Sequence, residues 1–125
     1  MMRRRPRPSA LAAGTVMAVL GLLGASCASS NAAGLVRQAC QHVERSLRLY
    51  EQSLHEAPAQ QAADQARAEA ELQAAEAPVA TAAGEDGRWQ GLMTSLSQSI
   101  RVPESDLVGV LRVQCAPALG GGSGG

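Results

Sequence analysis

From Val36 to Leu54 the apolar residues recur at alternating intervals of four and three: Val36, Cys40, Val43, Leu47, Tyr50 and Leu54. That spacing keeps them on one face of an α-helix, and a seam of this length needs partner helices to cover it. The remaining faces carry Arg37, Gln41, Glu44, Arg45, Arg48, Glu51 and Gln52, all suited to water. Ser29 to Asn31 supply N-cap residue types, and a turn near His55 to Pro58 ends the helix. No segment alternates with period two, so the chain offers nothing to a sheet.

Pro58 also suits the first turn of a second helix, because its missing N–H is not needed there. Residues 57 to 83 hold thirteen alanines, and Asp64, Arg67 and Glu71 are spaced for side-chain pairs. Pro78 is expected to kink or end this helix, with Gly84 as its stop. Asp86 is placed to cap a third helix, whose apolar face is Trp89, Leu92, Met93, Leu96 and Ile100, ending around Arg101. Pro103 and Glu104 open a fourth, with Leu107, Val108, Val110, Leu111 and Cys115 on its buried side and Pro117 closing it. The expected fold is all-α, a small up-down bundle of about four helices. Three helices with a disordered alanine-rich arm are the alternative.

Upstream of the bundle the chain changes character. Arg3, Arg4, Arg5 and Arg7 precede an uncharged run from Ser9 to Ser26, the basic and apolar regions of an export signal. The run is marginally short for a transmembrane helix, which needs about 20 apolar residues. It ends in Leu23-Gly24-Ala25-Ser26-Cys27, and this segment resembles the lipobox of bacterial lipoproteins. It departs from the commonest pattern in having Gly24 where leucine is usual, with Leu23 one step earlier. The resemblance implies that residues 1–26 are removed and that Cys27 becomes an N-terminal cysteine bearing a diacylglyceryl group and palmitate-class acyl chains. The partner implied is the membrane, at its extracytoplasmic face. Cleavage after Ala28 or Ala32 in a simply secreted protein, and an uncleaved anchor, remain open. The arginine run lacks the neighbours of a twin-arginine signal.

Lipidation of Cys27 also settles the parity of three cysteines, leaving Cys40 and Cys115 to form a disulfide at one rim of the bundle. The layout is then a leader (1–26), a lipid-anchored tether (27–32), a helical domain (33–116) and a flexible Gly/Ser tail (117–125). Lysine and phenylalanine are absent, and the abundance of arginine, alanine and glycine suits a GC-rich bacterial genome. The domain resembles small helical actinobacterial lipoproteins. Residues 27–125 carry seven arginines against eleven acids, a net charge of minus four, which disfavours nucleic acid.

Reactive constellations are missing from the sequence. There is no Gly-x-Ser-x-Gly elbow, no His-Glu-x-x-His, no dinucleotide-binding glycine pattern and no lysine for a Schiff base or phosphate loop. His42 and His55 lie off the apolar stripe and are expected to be solvated. Cys40 beside His42, or Glu51 with His55, gives at most two ligands, so neither a metal site nor a cofactor is expected. Trp89 and Tyr50, the two large aromatics, are expected to anchor the core, or to contribute to a partner surface. The function this suggests is a non-catalytic, lipid-anchored envelope module that meets another envelope protein. A helical carrier of a small hydrophobic ligand, with a cavity lined by Leu47, Leu54, Leu96 and Leu111, is the alternative.

Overall fold

The computed structural model describes residues 24–121, with side chains described for 31–120. Its backbone is helical: α1 (Gly24–Ser53), α2 (Pro58–Glu85), a 3₁₀ turn (Gly87–Trp89), α3 (Gln90–Ser97), α4 (Glu104–Cys115) and a closing π-type turn (Pro117–Gly121). The all-α bundle is therefore as expected. Its helices are unequal, because α1 and α2 form a long antiparallel hairpin, about 42–45 Å at 1.5 Å per residue. The short α3 and α4 pack across that hairpin.

The apolar seam of α1 divides between two neighbours. Ser46 bonds the Ala68 carbonyl and Ser53 is reached by Gln65, so this edge faces α2. Cys40 is joined to Cys115, and Leu47 shares a groove with Leu111, so these residues face α4. The buried set on α1 is Ala32, Val36, Ala39, Cys40, Val43, Ser46, Leu47 and Ser53. Small residues at Ala32, Ala39, Ser46 and Ser53 repeat every seven positions and let the α2 backbone come close. Leu54 lies just past the end of α1 and is 53% exposed, because the chain tightens there into i→i−3 bonds, Leu54 N–H to Glu51 and His55 N–H to Gln52.

The alanine-rich segment is an ordered helix. Asp64, Ala68, Leu72, Ala75, Val79, Ala82 and Ala83 are buried along it, at helical spacing. It runs through Pro78, contrary to the expected kink or stop, and reaches Glu85. Burial of Val79, Ala82 and Ala83 beyond the proline outweighs the hydrogen bond it cannot make. Gly84 is not the stop either. The helix ends at Asp86, extended at φ −142° and ψ 110°, whose N–H bonds the Ala82 carbonyl.

Asp86 then caps the next element as expected, its carboxylate accepting from the Arg88 N–H at 3.1 Å. In α3, Leu92 and Leu96 are buried, while Trp89 and Met93 pack half-buried against the core. The helix ends at Ser97, short of Arg101, so Ile100 falls in a hydrogen-bonded turn and is 62% exposed. In α4, Leu107, Leu111 and Cys115 point inward at intervals of four. Val110 lies on the outer side and is exposed, a correction to its expected burial.

The Cys40–Cys115 disulfide is formed, with Cα atoms 5.4 Å apart. It does not sit at a rim. Because α1 begins at Gly24, Cys40 lies near the middle of that helix, and the bridge fastens the end of α4 to it. The tail expected from residue 117 is partly built: Pro117–Gly121 turns back, Ala118 packs on the core, and Gly120 adopts φ 131°, which a side chain would oppose. Residues 1–23 and 122–125 lie outside the described residues, as does the Cys27 side chain, so the expected leader (1–26) falls almost wholly among them.

Candidate functional site

Where α1 ends, the loop joining α3 to α4 leaves a cleft of about 500 Å³. Tyr50 from α1, Gln65, Glu69 and Leu72 from α2, and Ile100 to Glu104 line it. Pro103 stops the loop at φ −55° and ψ 142° and sets Glu104 as the first residue of α4, directed at the hairpin. There Glu104 Oε1 lies 2.7 Å from Ser46 Oγ, which is also 2.7 Å from the Ala68 carbonyl oxygen. Burial pushes the Glu104 carboxyl above its ordinary value; the Ser46 hydroxyl pulls it back and the nearby Glu69 charge adds to the rise.

A second polar cluster bridges α1 and α2. His42 Nδ1 lies 2.5 Å from Glu71 Oε2, and Arg45 Nε donates to the same oxygen at 3.3 Å. Arg45 Nη2, which can only donate, lies 2.8 Å from the same Nδ1, so the two contacts ask opposite roles of that nitrogen, donor toward Glu71 and acceptor from Arg45. The Glu71 carboxyl is held below its ordinary value, by the His42 bond above all and by Arg45 as well, which together outweigh the opposing effect of burial. His42 is thus a half-buried bridging residue, where solvation was expected. A histidine oriented by a carboxylate has the form of a general base. No hydroxyl or thiol is bonded to it among the described residues, and no group of three metal-binding side chains occurs among them.

Tyr50 and Trp89 do not share a surface. Tyr50 lines the cleft near the hairpin turn, whereas Trp89 lies beyond the far end of α2, roughly 25 Å along that helix from Glu69. Trp89 is half-buried on the core with the Arg88 guanidinium 5.2 Å from its ring centroid. Its indole N–H is buried and has no hydrogen-bond partner among the described residues. Glu51 pairs with Arg112 of α4, and not with His55.

The four leucines proposed for a carrier cavity are dispersed. Leu96 and Leu111 are fully buried, Leu54 faces solvent, and only Leu47 and Leu111 meet in one depression, a groove of about 300 Å³ beside the disulfide. Val43, Leu111 and Leu119 form its apolar floor, and Glu44, Arg48, Glu51 and Arg112 its charged rim. Ser46 is buried and carried no sequence signal, while Asp64, expected as a pairing partner and indeed paired with Arg67, gave no sign that it would be buried. Glu71 was legible only as a partner within its own helix. No helix among the described residues is long and apolar enough to cross a membrane. No protein-family description, characterised protein or solved structure matches the chain.

Proposed function

We propose that this chain is a lipid-anchored envelope protein, attached to the outer face of the cytoplasmic membrane through a diacylglyceryl group on Cys27 and acting without catalysis as an interaction or structural module. The observation that carries this reading is the Cys40–Cys115 disulfide. Such bonds persist in oxidising compartments, so a bridge in this domain favours an exported chain. It also uses two of the three cysteines, and leaves Cys27 alone behind the basic and apolar leader. The absence of a joined nucleophile, base and orienting group in the His42–Glu71–Arg45 cluster, among the described residues, supports a binding rather than a catalytic role.

A carrier of a small hydrophobic ligand is the second reading. The groove floored by Val43, Leu47, Leu111 and Leu119 favours it.

Detergent phase partitioning after expression in a bacterium that processes lipoproteins tests the anchor. The wild-type chain is expected in the detergent phase and Cys27→Ala in the aqueous phase or as unprocessed precursor. Equal partitioning of the two into water would refute lipidation and leave a secreted protein.

A further inference from the structure

The hydroxyl of Ser46 touches two acceptors and owns one proton. Its oxygen lies 2.7 Å from the Ala68 carbonyl and 2.7 Å from Glu104 Oε1, and Ser46 has no exposed surface through which water might mediate. Oxygens at this separation are hydrogen-bonded; without a proton between them they repel. Ser46 supplies one donor and a carbonyl supplies none. A proton on Glu104 would give each contact its own hydrogen, whereas an ionised Glu104 leaves the single Ser46 hydrogen shared between two acceptors.

We propose that Glu104 is a proton-binding site whose occupancy fastens the start of α4 to the α1–α2 hairpin: the neutral carboxyl donates to Ser46, and Ser46 donates to Ala68. When the proton leaves to solvent, the carboxylate and the Ala68 carbonyl compete for the single Ser46 hydrogen, and a contact across the seam is lost. The groups that face Glu104 act in both directions, with burial the largest influence and Glu69 on its side. From α2, Glu69 repels a second negative charge, while Gln65 lines the same cleft. From α1, Ser46 is the bonded group and Tyr50 forms the wall. From the α3–α4 loop, Arg101 lies on the rim and makes no ion pair among the described residues. The Ser46 hydroxyl favours the carboxylate, yet burial, with Glu69, outweighs it.

Because the folded-state value is raised above 4.5, the contribution to stability is complete below that pH and fades as pH climbs through the folded value. The domain should thus tighten in mildly acidic surroundings and loosen in neutral or alkaline ones. Deprotonation would also place a second carboxylate beside Glu69 in the cleft.

The test follows the side-chain carboxyl carbon resonance of Glu104 in the full chain, alongside melting temperatures of wild type and Glu104→Gln from about pH 4 to about pH 8. The amide of the variant donates to Ser46 at every pH. Expected are a carboxyl midpoint above 4.5 and a wild-type melting temperature that falls relative to the variant as pH rises. A midpoint at or below 4.5, or parallel melting curves for the two proteins, would overturn the proposal. Should the variant fail to fold, the wild-type carboxyl midpoint decides alone.

Discussion

Glu71 joins α1 to α2 through two side chains, and it titrates in the opposite sense to Glu104. Its carboxyl is held below 4.5 by His42 and Arg45, so its contribution is present above that pH and is lost as pH falls through the lowered value. The cluster is partly open to water, so screening keeps its worth below about 1 kcal/mol. Glu71→Gln is therefore expected to lower the melting temperature slightly at neutral pH, with a penalty that shrinks as pH falls through the lowered Glu71 value. A penalty that stays the same on acidification would show that Glu71 acts by packing. The cluster was hidden in the sequence because His42 and Glu71 are 29 positions apart, and only the hairpin register brings them together. The burial of Ser46 and Asp64 was hidden for another reason. Short polar residues on a helix are ordinary surface residues unless an approaching backbone covers them, and composition does not show that approach. The Asp64 carboxylate, accepting from Gln60 at 3.1 Å and paired with the Arg67 guanidinium, still has one oxygen without a hydrogen-bond partner among the described residues.

At the scale of elements, α2 shows where local rules yield to packing. Pro78 interrupts the hydrogen-bond ladder of a helix interior, which costs about 3 kcal/mol relative to alanine, yet the helix continues to Glu85. Part of that cost is offset because proline also restricts the unfolded chain. Pro78→Ala should therefore raise stability by about 1–2 kcal/mol, read as a melting temperature higher by several degrees. A fall would mean that the half-buried pyrrolidine ring packs better than the restored bond. The α1 helix was legible from its intervals of four and three, since Val36, Cys40, Val43 and Leu47 are all buried. Its division between two neighbours was not, because one sequence stripe cannot say which of its members meet which partner. Leu54 and Ile100 were misplaced for a shared reason. Each continues an apolar period past the point where the backbone stops being helical, so the side chain turns to solvent. Trp89, by contrast, packs on the core as its position at the start of α3 suggested.

For the molecule as a whole, the disulfide sets the relation between hairpin and cover. A bridge between positions separated by 75 residues stabilises by about 4 kcal/mol in the chain-entropy view. That is a large share for a domain of this size, which commonly has 5–15 kcal/mol in all, by a rough general measure. The bridge also holds α4, and with it Glu104, against α1. The first well-covered residue of the described side chains is Ala32, five positions after Cys27. If Cys27 bears lipid, the spacer between bilayer and folded core is therefore far shorter than the domain itself, and the body rests close to the headgroups. Such an arrangement suits a protein that presents its cleft or groove to neighbours in the envelope. The bundle class and the cysteine pairing were legible in the sequence, from period and parity. The cleft was not, since it arises from where α3 stops and how the loop to Pro103 crosses the hairpin.

One chemical question decides the proposed anchoring and the fold's closure together: the state of the three cysteines. Intact-mass spectrometry of the chain purified from membranes, with and without reductant, answers it most directly. A lipidated, bridged chain would appear as a polypeptide beginning at Cys27, heavier by a diacylglyceryl group, that gains the mass of two hydrogens on reduction. An unmodified chain starting elsewhere would contradict the anchoring, and a mass unaffected by reductant the closure.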